Sequence, residues 1–97
     1  MRKVLLVDDD EDILRFLKVH FKSRDFQVIL AKNGESALIL AQKEKPDLVL
    51  LDMNMPLMPG WVTARELKKH ILGTANIPLI AVTALTSADE KGNVGRP

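Results

Sequence analysis

Asp8 and Asp9 close the apolar run Val4-Leu5-Leu6-Val7, and Asp52 closes Leu48-Val49-Leu50-Leu51. Apolar runs this short, bounded by acids, read as buried strands. Laid side by side and parallel, the two strands would bring three carboxylates to one small patch. Like charges so close repel, and each raises its neighbours' pKa unless a cation neutralises them. An all-oxygen cluster suits a hard divalent ion such as Mg²⁺. Asp52 is then the candidate nucleophile, because a carboxylate can attack phosphorus and form an acyl phosphate. The cation would draw oxygen from Asp9 and Asp52 and from a backbone carbonyl near Asn54, with Asp8 acting more through water. Thr83 follows the apolar run Leu79-Ile80-Ala81-Val82. Its hydroxyl would stabilise charge on the transferred group's oxygens.

These side chains need a scaffold that ends two neighbouring strands at one place. Short apolar runs alternate with longer amphipathic stretches, the pattern of βαβ units and a parallel sheet. Strands are expected near Lys3–Val7, Gln27–Leu30, Leu48–Leu51 and Leu79–Val82. The first, third and fourth are almost continuously apolar, as strands covered on both faces are. Ile13, Leu17 and Phe21, with Leu14 beside them, mark a helix over Glu11–Arg24 with Asp10 as its N-cap. Ala37, Leu38 and Ala41 mark a second over Glu35–Glu44, stopped by Pro46. A third over Trp61–Leu72 carries Leu67 and Ile71 and ends at Gly73. Ser87-Ala88-Asp89-Glu90 reads as a capping box, but Gly92, Gly95 and Pro97 stop the helix it opens. Right-handed crossovers place each helix on one face or the other of the sheet. Ligands bind such sheets beyond the strands' carboxyl ends, where the strand order reverses. With the order 2-1-3-4, Asp8, Asp9 and Asp52 meet at that reversal, and Thr83 lies just past the adjoining fourth strand.

Composition narrows the classes. The 97 residues, 46% hydrophobic and 28% charged, suit one compact soluble domain and not a disordered segment. A net charge of +1 without any Lys/Arg block argues against an electrostatic grip on nucleic acid. The absence of cysteine excludes disulfides and thiolate metal sites and fits a reducing, cytoplasmic location. Arg2-Lys3 precedes an apolar stretch too short for a signal peptide, and no stretch has membrane-spanning length.

Each signal also has a plainer explanation. Asp8-Asp9-Asp10 before a helix would favour its dipole and supply a cap. Asp52 would serve as a turn residue and Thr83 as a strand-end hydroxyl bonding its own backbone. The conjunction outweighs these, since all four fall at the same end of parallel strands. His20 and His70 are read as solvated helix-surface residues. Met53, Met55 and Met58 are read as packing and loop filling, not a soft-metal site. Trp61 is expected to anchor its helix against a neighbour.

The chain resembles the receiver domain of two-component response regulators, of the kind seen in chemotaxis regulators. The resemblance rests on Val4-Leu5-Leu6-Val7-Asp8-Asp9-Asp10, on Asn33-Gly34-Glu35-Ser36-Ala37-Leu38, and on Pro46 through Pro56 with Pro59-Gly60. It continues through Ile77-Pro78-Leu79-Ile80-Ala81-Val82-Thr83-Ala84. It implies a flavodoxin-like doubly wound α/β sheet and a phosphoacceptor that is not an enzyme in the ordinary sense. Asp52 would take a phosphoryl group from a histidine kinase or phosphotransfer protein and signal to a downstream protein target. Asp8, Asp9, Asp52 and the Asn54 carbonyl would hold Mg²⁺, and Thr83 would be the switch hydroxyl. Asn54 and Leu85 would tune how long the phosphate lasts.

Receivers continue to a fifth strand, ending in a phosphate-contacting lysine before proline, and a fifth helix. Neither is found in residues 1–97, and the likeness fades from about residue 91. Lys91 and Arg96 are the cations left there to substitute. The expectation is an impaired phosphoacceptor whose apolar fourth strand forms an edge and supports self-association. A competing reading is a non-switching receiver-like module that works by binding or dimerising. A phosphatase of the haloacid-dehalogenase type needs a second acid two positions after the nucleophile to protonate the leaving group. Asn54 stands there and cannot.

Overall fold

The computed structural model describes residues 1–55, 58–69 and 73–82. Its elements are β1 (Arg2–Val7), α1 (Glu11–Lys22), β2 (Phe26–Ala31), α2 (Gly34–Glu44), β3 (Leu48–Asp52), α3 (Gly60–Leu67) and β4 (Leu79–Val82). The strands form one parallel sheet in the order β2-β1-β3-β4, as expected for a doubly wound α/β fold. Parallel strands alternate their side chains between two faces, and here each face has its own core. Leu5, Val7, Val49 and Leu51 pack with Ala37 and Ala41 of α2 and Leu67 of α3. Val4 and Leu6 pack with Leu14 of α1 on the other face. Val4 to Val7 of the central strand β1 are all buried, which explains its unbroken apolar run.

Local chemistry sets the helix starts. The Asp10 carboxylate accepts from the N–H groups of Asp12 (2.8 Å) and Ile13 (3.3 Å), capping α1. Asn33 caps α2 by accepting from the Ser36 N–H at 2.8 Å. Before Pro46, α2 closes on Lys45, whose backbone is left-handed (φ 48°).

Several expectations need correction. Ile13 is 44% exposed, whereas Leu14 is buried. Steps of four residues advance by about 400° on a helix, so the Ile13-Leu17-Phe21 stripe drifts and its first member falls on the flank. The third helix ends at Leu67, not Leu72. The Thr74 hydroxyl donates to the Leu67 carbonyl at 2.5 Å, and the Lys68 ammonium turns to the carbonyls of Ala75 and Ile77. Ile71 and His70 lie outside the described residues. Trp61 is 57% exposed and stacks under the Arg65 guanidinium, 5.2 Å from its ring centre. The buried face of α3 is made instead by Gly60, Thr63 and Leu67. Finally, β4 is not covered on both faces: Ile80 and Val82 are exposed on the face where α1 packs over β1 and β2, and Ala81 is exposed on the other.

Candidate metal centre

The ladder between β1 and β3 pairs Val7 with Leu51. The residues that follow, Asp8 and Asp52, therefore stand side by side at the carboxyl end of the sheet, Asp52 still paired with Val82 of β4. The Asp8 N–H still bonds the Ala31 carbonyl (3.1 Å), so β1 remains in the sheet up to its first carboxylate. One carboxylate oxygen each from Asp8, Asp9 and Asp52 lie within 4.8 Å of one another. The cluster expected from the sequence is thus assembled.

Asp8 and Asp52 are anchored in the same way. An oxygen of Asp8 accepts from the Asp10 N–H at 2.9 Å, and an oxygen of Asp52 accepts from the Asn54 N–H at 3.0 Å. Each turn fixes one carboxylate oxygen to the backbone of its own loop and so restrains the side chain. Asp8 is buried, Asp52 half-buried and Asp9 exposed. Burial pushes the Asp8 carboxyl up to about 6, with the charges of Asp52, Asp9 and Asp10 adding to the rise and the Asp10 N–H opposing it. Among the described residues no ion pair engages Asp8, Asp9 or Asp52. A buried carboxylate beside two like charges is the donor set that a hard divalent cation neutralises, so these residues fit Mg²⁺.

Asn54 is exposed on the loop after β3, with its N–H committed to Asp52. Met55 is buried and Met53 packs against the larger core, so both behave as packing residues. His20 lies exposed on α1. Thr83 and Leu85, and with them Lys91, Arg96 and the capping box at Ser87, lie outside the described residues.

Gly60 shapes the site more than its place in the sequence pattern suggests. Its N–H donates to the Met53 carbonyl at 3.2 Å, and an added Cβ would sit 2.4 Å from both the Asp52 carbonyl oxygen and the Met53 Cα. The start of α3 is therefore pressed against the backbone of the candidate nucleophile. A glycine immediately after a proline, at the first position of an amphipathic segment, was the available signal. Lys32 is a second residue that no local pattern singles out. It pairs with Glu11 and holds that carboxyl below its usual range, tying the end of β2 to the start of α1.

A family model described as the response regulator receiver domain matches residues 4–94. The probable transcriptional regulator ycf27 of Porphyra purpurea is 42% identical over 83 residues, covering 86% of this chain and 32% of that protein. The structure of the Vibrio cholerae chemotaxis protein CheY4 superposes with a TM-score of 0.81 at 30% identity, covering 93% of this chain and 74% of that one. The N-terminal domain of a response regulator receiver protein from Methanoculleus marisnigri gives a TM-score of 0.82 at 30% identity, with 99% and 85% covered. The chain spans about a third of the length of the first curated relatives it matches.

Proposed function

The chain belongs to the response regulator receiver domain family, and on that premise we propose that it is a phosphoacceptor of a two-component relay. The donor is a histidine kinase or phosphotransfer protein, and Asp52 receives the phosphoryl group. The observation that carries this reading is the convergence of one carboxylate oxygen each from Asp8, Asp9 and Asp52 within 4.8 Å.

In this reading an Asp52 oxygen forms the new bond to phosphorus as the phosphorus–nitrogen bond to the donor imidazole breaks, its electron pair returning to the ring. Mg²⁺, when bound, supplies positive charge against the transferring oxygens. Asp8, Asp9, Asp52 and the Asn54 carbonyl would hold it. Asp52 is oriented by the Asn54 N–H, which leaves one oxygen free to attack. Thr83 answers the phosphate through its hydroxyl. Asn54 and Leu85 set the phosphate's lifetime, Asn54 by orienting water, which Leu85 cannot do. The protein assists its own phosphorylation and dephosphorylation and has no separate substrate.

The partners are the phosphodonor, a downstream protein target and, through β4, a second copy of the chain, with no call on nucleic acid or membrane. No helix among the described residues is long and apolar enough to cross a membrane, and the phosphodonor's chemistry assigns the protein to the cytoplasm. The exposed Ile80 and Val82 favour a second reading, a non-switching interaction module. Acetyl phosphate with Mg²⁺, followed by Phos-tag electrophoresis, separates the two. A retarded band that disappears in Asp52→Asn supports the phosphoacceptor, and no band in the wild type supports the module.

A further inference from the structure

The three methionines that follow Asp52 do not share one environment. Met55 is buried, and Met53 packs against the larger core. Met58 is half-buried and lines a cavity of about 230 Å³ with Asn33, Gly34 and Glu35. Its side chain rests on the start of α2, where Gly34 has no Cβ to keep it away. A Cβ built there would fall 2.4 Å from the Met58 sulfur and 2.9 Å from its Cγ.

The same point lies 2.3 Å from Oγ1 of Thr63. Thr63 is fully buried on the inner face of α3, and its hydroxyl has no hydrogen-bond partner among the described residues. Sulfur and hydroxyl are therefore neighbours over Gly34, across a gap no wider than those two distances together. A thioether is only a weak acceptor, so the hydroxyl goes unsatisfied beside it.

We propose that Met58 is a reversible oxidation site, with a peroxide as oxidant and Thr63 as the group that receives the product. A sulfur lone pair attacks one peroxide oxygen, and the oxygen–oxygen bond breaks with its electron pair leaving on the other oxygen. The proton on the transferred oxygen passes to that leaving group, which departs as water when the oxidant is hydrogen peroxide. Sulfur loses two electrons and the peroxide gains them. The sulfoxide oxygen stands in the gap, within hydrogen-bond reach of Thr63. It accepts the bond that the buried hydroxyl lacks. Oxidation ordinarily harms packing by making an apolar side chain polar. Here the new polar atom meets a donor already in place, and the bond ties the loop leaving Asp52 to the inner face of α3.

Pulses of hydrogen peroxide, read by peptide mass spectrometry, test the site on the wild-type protein. Met1 is 91% exposed and oxidises early as an unprotected reference. Of the other three, Met58 should oxidise first, at least about ten times faster than the buried Met55. Methionine sulfoxide reductase should restore it. Denaturation midpoints then test the acceptor bond. Oxidised wild type should keep its midpoint, whereas oxidised Thr63→Val should fall well below its own unoxidised value. Peroxide should move neither midpoint once Met58→Leu is added to both proteins. Oxidation of Met53 or Met55 ahead of Met58, or an equal response of wild type and Thr63→Val, overturns the proposal.

Discussion

Asp8 stands beside Asp52 at the ends of adjacent strands, and each carboxylate holds the backbone N–H of the residue two positions on, at 2.9 and 3.0 Å. The register Val7 to Leu51 enforces this proximity. Folding the sheet therefore both buries Asp8 and crowds it with like charges, and burial above all, with the neighbouring carboxylates adding, raises the Asp8 pKa to about 6.

That shift gives stability a definite pH dependence in the absence of divalent cations. Between the ordinary value of 3.8 and about 6 the folded protein holds a proton on Asp8 that the unfolded chain has released. Stability therefore falls as pH rises through this window. Because solvent reaches part of the site, the loss should be about 1–2 kcal/mol, less than the full shift implies. Urea titrations from pH 4 to pH 7 should show the decline in wild type and flatten it in Asp8→Asn.

Gly60→Ala should damage the site from outside it. The new methyl would meet backbone at Asp52 and Met53, where no side chain can swing aside. The strain should cost about 1–3 kcal/mol and shift the loop after β3. Denaturant melts measure the first effect. Weaker Mg²⁺ binding in calorimetry measures the second.

Asp10→Ala separates capping from metal binding. Loss of the bonds to Asp12 and Ile13 should cost about 1 kcal/mol, while Asp8, Asp9 and Asp52 remain in place. A thermal melt should move down with Mg²⁺ affinity nearly unchanged.

Thr63 offers a stabilising substitution. Its hydroxyl is buried against Gly34 without a hydrogen-bond partner among the described residues. Thr63→Val keeps the shape and removes the unsatisfied group, so it should raise stability by about 1 kcal/mol. Chemical denaturation is the check.

Much of this site was legible in the sequence because a carboxylate ending an apolar run marks a strand's carboxyl end. Strand order then followed from topology, and Asp10 announced its cap. Other features depended on packing partners distant in sequence. The end of α3 was set by Thr74 reaching the Leu67 carbonyl, which no local pattern encodes. Trp61 turned outward because Gly60, Thr63 and Leu67 pack on the inner face of α3. Hydrophobicity alone could not choose that face. The exposure of β4 reflects where α1 lies across the sheet, a tertiary fact that a strand's own apolar pattern cannot carry.

Isothermal titration of Mg²⁺ at pH 7.5 tests the metal centre most directly. Wild type should bind a single ion, and Asp9→Asn and Asp52→Asn should each lose most of that heat while keeping the wild-type circular dichroism spectrum. Wild-type binding that survives both substitutions unchanged would place the ion elsewhere and contradict the account.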